Sequence, residues 1–258
     1  MRILLIRHGD PDYEHDTLTE KGHREAALLA GLAPSMQIDD CYMSPLGRAQ
    51  DTASYSLKAI GKEATTLDWL REFPAKVDLN LSKELLEAFP DSSKEESRYA
   101  IRNNIWDMVP AYWTNHPEYM ELNGWQQSLV AKCGDAVFVY ESVCEELDKL
   151  LKSYGYIREK NHYRVIKENT KTIACYCHFG IICALLSHLW NVSPFVLWHG
   201  LALAPTSVTE IVSEERQQGI ASFRALRVGD TSHLYAGQEP ASFAARFCEV
   251  FSNKDQRH

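Results

Sequence analysis

The feature that most constrains this chain is a short apolar run that ends abruptly in charge. Ile3, Leu4, Leu5 and Ile6 are followed at once by Arg7-His8-Gly9, and Pro11 comes two residues later. Four consecutive apolar residues bounded by turn formers read as a strand buried on both faces, the type found in mostly parallel sheets. Open α/β sheets hold their ligands at the C-terminal edge of such strands. Here a guanidinium and an imidazole stand at that edge. Gly9 behind them lets the backbone turn sharply and approach a ligand closely. Taken alone, the tripeptide is equally a polar strand end with a hydrogen-bonded histidine, so its meaning depends on the rest of the chain.

A second strand repeats the pattern. The run Thr172-Ile173-Ala174-Cys175-Tyr176-Cys177 ends in His178-Phe179-Gly180, and an apolar helix follows over residues 181–190. That helix would aim the positive end of its dipole at the same sheet edge. Between the two strands, Thr19 is placed to cap a helix running to Leu32, with Pro34 beyond its end. Residues 39–43 read as a strand, and Ser44-Pro45-Leu46-Gly47-Arg48 opens a helix that stops at Gly61. Residues 67–70 read as a third strand, followed by Arg71-Glu72.

Alternating strands and helices give an α/β fold: a mostly parallel central sheet flanked by helices on both faces. The alternation lapses over residues 74–125, where Trp106, Trp113 and Trp125 stand among many charges and helix formers. This stretch reads as a mainly helical insertion over the active-site edge, within one domain spanning residues 1–258. Further on, the periodicity predicts one long helix over 126–154. A loop or hairpin is expected over 158–171, strands over 207–213 and 223–228, and a closing helix over 242–251.

Composition narrows the function classes. A net charge of −8 argues against a nucleic-acid surface, which is normally basic. It leaves room for a small anionic substrate held by a local cationic pocket. The opening residues turn polar too soon for a signal peptide, and no apolar stretch is long enough for a bilayer, so no membrane partner is expected. Seven cysteines, an odd number without a regular framework, read as free thiols in a reducing cytoplasm.

Arg7, His8, Arg48, Glu72 and His178 all fall where loops leave strands or open helices, and so can meet at one sheet edge. Two histidines, two arginines and a carboxylate suit phosphoryl transfer. The arginines can clamp phosphate oxygens with bidentate, charge-assisted hydrogen bonds. One neutral imidazole can attack phosphorus. The carboxyl can protonate the leaving oxygen and then activate water.

At this point the sequence resembles the histidine phosphatase superfamily, in its phosphoglycerate-mutase-like branch. The matching pieces are Leu5-Ile6-Arg7-His8-Gly9, Leu18-Thr19-Glu20-Lys21-Gly22, Ser44-Pro45-Leu46-Gly47-Arg48-Ala49-Gln50-Asp51-Thr52-Ala53, Leu70-Arg71-Glu72 and His178-Phe179-Gly180, with Thr206-Ser207-Val208-Thr209 a weaker one. The resemblance implies a phosphatase acting on a small phosphorylated substrate, with His8 as the nucleophile that becomes phosphohistidine. It implies Arg7, Arg48 and His178, beside Gly9, as the binding groups for the phosphoryl oxygens, and Glu72 as the proton donor. Neither metal nor cofactor is implied, because the cationic groups neutralise the phosphate. A mutase that returns the phosphoryl group to its substrate, and a non-catalytic module that binds a phosphorylated ligand or a protein, stay open as alternatives.

The sequence departs from the family pattern in places. Asp10 stands where a glutamate is common, Phe73-Pro74 follows Glu72 in place of a glycine-containing turn, and Cys177 precedes His178 where a small residue is usual. Glu84 and Glu87 in the insertion therefore compete with Glu72 for the role of acid. Arg98 and Arg102, four apart, would share a helix face, which reads as solvated, with a second anion clamp as the alternative. His15, His23, His116 and His162 lie in polar surroundings and read as solvated, whereas His188 reads as a core group. His199 is left between packing and pocket lining. Cys175 and Cys177 share a strand face without a second pair to complete a zinc site.

Overall fold

The computed structural model describes residues 1–90, the backbone of 101–102, and residues 105–242, 250 and 252. The chain divides into two compact units. Met1–Glu72, Leu151–Ile182 and Ala202–His258 form the first, and Phe73–Leu150 and Cys183–Leu201 the second. The closing helix expected over 242–251 and the Arg98 side of the expected arginine pair lie outside the described residues.

The chain opens with β1 (Arg2–Arg7), then a two-stranded ribbon of β2 (Pro11–Asp12) and β3 (Thr17–Leu18). Thr19 caps α1 (Glu20–Leu32) as its sequence position predicts, its hydroxyl accepting the Gly22 N–H at 3.1 Å. Next come β4 (Asp40–Met43) and α2 (Gly47–Ile60). Gly61 ends α2 in the left-handed conformation (φ +65°) with its N–H on the Leu57 carbonyl, a backbone that a side chain would strain. The third strand is β5 (Ala64–Thr66), three residues earlier than its apolar pattern suggests. β5 is an edge strand with exposed threonines, so it carries no apolar run to read. The apolar Leu67-Asp68-Trp69-Leu70 instead enters a 3-10 turn that buries Leu70.

In the second unit, β6 (Val77–Asp78) pairs with β7 (Ile101–Arg102), and the short helices α3 (Leu85–Ala88), α4 (Pro110–Trp113) and α5 (Leu129–Lys132) follow among 3-10 turns. The single helix predicted over 126–154 is broken, and the long piece is α6 (Ala136–Ser153). The cause lies at Cys133-Gly134-Asp135. Asp78 N–H donates to the Cys133 carbonyl at 2.8 Å and Asp135 N–H to the Lys76 carbonyl at 3.1 Å, so strand partners take groups that a continuous helix would use. Gly134 is packed so closely that a Cβ there would come within 2.0 Å of the Lys76 carbonyl oxygen.

The segment over 158–171 supplies the expected hairpin, β8 (Tyr156–Glu159) and β9 (His162–Val165). Then come β10 (Thr172–Cys177) and α7 (Phe179–Trp190), which starts in the first unit and ends in the second. α8 (Pro194–Gly200), β11 (Val208–Gln217), β12 (Ile220–Asp230) and α9 (Ser232–Ala236) complete the order.

The first unit is built on an eight-stranded sheet in the order β5-β4-β10-β1-β11-β12-β9-β8. Strands β5, β4, β10 and β1 run parallel, and from β1 onward each neighbour is antiparallel. This is the expected α/β architecture, with the parallel half carrying the site. Leu4, Ile6, Ala174 and Tyr176 face one side of the sheet, packing with Leu29 of α1 and Ala53 of α2 in one core. Ile3, Leu5, Ile173 and Cys175 face the other side and are equally buried, as a strand without polar alternation requires.

Candidate active site

Parallel pairing brings the two strand-end motifs together. Arg7 of β1 lies opposite Cys177 of β10, so His8 and His178 are the next residues at the same sheet edge. Their ring centres are 5.0 Å apart. The His8 amide donates to the Cys177 carbonyl at 3.0 Å.

Both rings are buried, His8 at 1% and His178 at 0% exposure. His8 Nδ1 lies 2.7 Å from the Gly9 carbonyl oxygen. A carbonyl only accepts, so the proton is on Nδ1 and the lone pair on Nε2. Burial first, then the charges of Arg7 and Arg48, hold the His8 ring well below the ordinary histidine range, against the opposing pull of the Gly9 bond. His178 is pushed the same way, by burial and then by His8, Arg48 and Arg7. Both rings are therefore neutral at pH 7, as a nucleophile and an uncharged donor require. His178 Nε2 sits 2.8 Å from Ser44 Oγ, and its Nδ1 is buried without a hydrogen-bond partner in the protein.

The arginines reach the site from two elements. The Arg7 guanidinium donates to the Leu203 carbonyl and lies over the Phe179 ring, 5.9 Å from its centre. Arg48, in the first turn of α2, is paired through Nη1 with Asp16 Oδ1 at 2.6 Å, and its buried Nε has no partner. The other Asp16 oxygen accepts the Gly47 N–H at 2.8 Å, so one carboxylate fixes both the helix start and the guanidinium. Tyr13 covers Arg48 with its ring at 5.3 Å. Glu72 Oε1 accepts the Gly180 N–H at 2.8 Å, which anchors the acid to the first turn of α7.

Two hydroxyls tie the turn together. Thr52 of α2 accepts the Gly9 N–H at 2.9 Å and donates to the Arg48 carbonyl at 2.8 Å. Thr206 adopts a left-handed backbone (φ +57°), and its N–H points at the carbonyls of both Arg7 and His8, 3.1 Å from each. Its hydroxyl donates to Pro205 O and so accepts from His233 Nε2, 2.9 Å away. Burial lowers His233 to about 4, keeping it neutral.

All five residues expected from the sequence, Arg7, His8, Arg48, Glu72 and His178, thus lie in the first unit, joined through β1, β10 and the starts of α2 and α7. Glu84 lies in the second unit, where it accepts from the Tyr112 hydroxyl at 3.0 Å, and Glu87 is exposed. His188 pairs with Asp148 at 3.0 Å, and His199 stacks on Phe195 and lies tilted against Trp113, all within the second unit. Cys175 and Cys177 are buried thiols, and burial raises both. The sequence reading gave no role to Asp16, Thr52, Thr206 or Glu25, although Thr52 and Thr206 stand inside the pieces that resemble the family. Glu25 left a signal of its own, as an acid on the buried stripe Gly22, Glu25, Ala26, Leu29 of an amphipathic helix.

Residues 3–105 match the family model described as histidine phosphatase superfamily (branch 1). No curated protein matches the chain by sequence. Several solved structures share its fold. The mycobacterial glucosyl-3-phosphoglycerate phosphatase in complex with inorganic phosphate is 18% identical, with a TM-score of 0.56 over 90% of this chain and 98% of that one. The phosphoserine phosphatase of Entamoeba histolytica in complex with 3-phosphoglyceric acid is 19% identical, with a TM-score of 0.54 and coverage of 90% and 98%. The α-ribazole phosphatase of Shigella flexneri is 19% identical, with a TM-score of 0.53 and coverage of 89% and 97%. By sequence over residues 3–105 this chain resembles the histidine phosphatase superfamily, branch 1, and over about nine-tenths of its length it is similar in fold to these solved phosphatases.

Proposed function

We propose that the protein is a phosphatase that hydrolyses small phosphomonoesters through a phosphohistidine on His8. The observation that carries this reading is the tautomer of His8. Its Nδ1 proton is held by the Gly9 carbonyl at 2.7 Å, while two arginines and burial keep the ring neutral, so Nε2 is a nucleophile at neutral pH. Support also comes from the family matched by residues 3–105 and from the phosphatases that share the fold.

In the first half-reaction Nε2 attacks phosphorus and the P–O bond to the leaving group breaks. Glu72 gives its proton to the departing oxygen. In the second half-reaction water attacks phosphohistidine, and Glu72, now a carboxylate, takes the water's proton. Phosphate leaves and neutral His8 returns. Arg7 and Arg48 bind the equatorial oxygens, where charge is held through the transition state, and His178 donates a further hydrogen bond. With this much fixed positive charge the reaction is expected to run without added metal.

The test is turnover of an aryl phosphate in the presence of a chelator, together with acid quenching after mixing with labelled substrate. Acid-labile, base-stable label on the wild type and none on His8→Ala is the expected result. Label that persists on His8→Ala overturns the assignment.

A further inference from the structure

The peptide bond that receives the Nδ1 proton of His8 is held from its other side by a buried carboxyl group. Gly9 C=O and Asp10 N–H belong to one peptide unit. The carbonyl accepts from His8 Nδ1 at 2.7 Å, and the amide donates to Glu25 Oε2 at 2.9 Å. Glu25 is fully buried on α1. The unit has no room to turn away, because α1 backs it directly: a Cβ on Gly22 would come within 2.9 Å of the Asp10 nitrogen. The result is a continuous line from an acid, through one amide, to the imidazole.

We propose that ionised Glu25 is a positioning residue for the nucleophile, acting on His8 through the Gly9–Asp10 peptide. This rests on the reading of His8 as the nucleophile. A negative charge accepting at the N–H end polarises the amide and makes its carbonyl a stronger acceptor. The Nδ1–H bond then tightens, the ring orientation is fixed, and electron density rises at Nε2. A carboxylate bonded directly to a histidine acts in the same direction; here the effect passes through one peptide unit.

The surroundings make this charge responsive near neutrality. Asp10 faces Glu25 from the turn, and Lys21 and Arg24 from its own helix. Both cations are themselves paired with Glu239, at 3.3 and 2.9 Å. The Asp10 carboxylate is held by the hydroxyls of Thr19 and Ser242, and the Ser242 backbone also reaches Glu25. Burial, reinforced by the Asp10 charge, raises Glu25 to about 7.

The experiment compares wild type with Glu25→Gln, which keeps the shape and one acceptor oxygen but cannot ionise. Turnover of an aryl phosphate is followed across neutral pH, and the 15N shifts of the His8 ring are followed by NMR on the same proteins, a readout that needs no turnover. In Glu25→Gln, kcat should fall about tenfold above neutrality with KM little changed. The wild-type limb near pH 7 should flatten, and the His8 nitrogen shifts should lose a titration step that the wild type shows there. If Glu25→Gln fails to fold, the wild-type His8 titration still decides. His8 shifts that do not move through neutrality in the wild type, or move identically in the variant, overturn the proposal, as does a variant with wild-type kcat. His8→Ala separates the two ideas. Activity surviving in His8→Ala removes the nucleophile itself, whereas an inert His8→Ala beside a normal Glu25→Gln removes only the relay.

Discussion

Replacing Gly22 by alanine should damage catalysis more than any other single methyl added to α1. The new Cβ would come within 2.2 Å of the Asp10 oxygen, 2.9 Å of the Asp10 nitrogen and 3.1 Å of the Asp10 carbonyl carbon. All three are backbone atoms, so no rotamer change relieves the contact. Helix or turn must retreat by about 1 Å, a displacement that can cost about a hundredfold in rate when it reaches the reacting groups. Here it does, because the turn being pushed carries the carbonyl that fixes His8. Overpacking of this kind also costs about 1–3 kcal/mol of stability. Gly31 is the control: it lies on the same helix with nothing within 4 Å of its Cβ position. Gly31→Ala should gain up to about 1 kcal/mol and leave turnover alone. Urea unfolding and aryl phosphate kinetics on both variants, with circular dichroism to confirm folding, read the two effects separately. Wild-type kcat in a folded Gly22→Ala would refute the idea that α1 holds the turn.

Three further outcomes follow from the same geometry. Arg48→Lys should lose about a hundredfold or more in kcat, since one ammonium cannot both keep Asp16 and fork onto a phosphate; near-normal kinetics would contradict the clamp. Glu72→Gln should slow alkyl phosphates far more than aryl phosphates, because a good leaving group needs little protonation, and equal losses would move the acid elsewhere. Glu25 also sets a stability trend. Its carboxyl is raised from 4.5 to about 7 in the folded state, so the folded protein binds that proton more tightly than the unfolded chain does. The group's contribution is complete below pH 4.5 and is lost as pH rises through 7. Relative to wild type, Glu25→Gln should gain up to about 3 kcal/mol between acid and mildly alkaline pH. Urea midpoints that track each other across that range would count against the buried charge.

The parts of this molecule legible in the sequence are those where local pattern and long-range packing agree. β1 and β10 are apolar because both faces of the sheet are covered, and α1 announces itself through Thr19 and its buried stripe. The misread parts are those where a distant partner overrides local preference. Nothing between residues 126 and 154 reveals that Lys76 and Asp78 will capture the backbone around Gly134 and split the helix. β5 is polar because it is an edge, and its neighbour Leu70, which carries the apolar signal, is buried by a turn instead. Of the proposed reacting side chains, Arg7, His8, Arg48 and His178 were readable because each sits beside a glycine or a strand end, whereas Glu72 follows a 3-10 turn and was readable only through its Leu70-Arg71-Glu72 context. Asp16, which supports Arg48, was not readable, since it lies in a polar loop with a φ of +49° and its partner stands 32 positions away in the chain.

The sheet order has a consequence for how the chain comes to be folded at all. β1, which leads into His8, finds its two neighbours in β10 and β11, with Arg2 opposite Thr172 on one side and Val212 on the other. During synthesis the apolar stretch from Ile3 to Ile6 emerges long before either neighbour exists. It must remain unpaired, a sticky template for any other extended chain, until most of the sequence has been made. Pairings this remote are slow to close, because the entropy of the intervening loop is lost before any contact rewards it. A chain that stops before β11 would leave β1 as an exposed edge. Truncated products and stalled nascent chains should therefore depend on chaperones or aggregate, while the full-length chain covers that edge in its final steps.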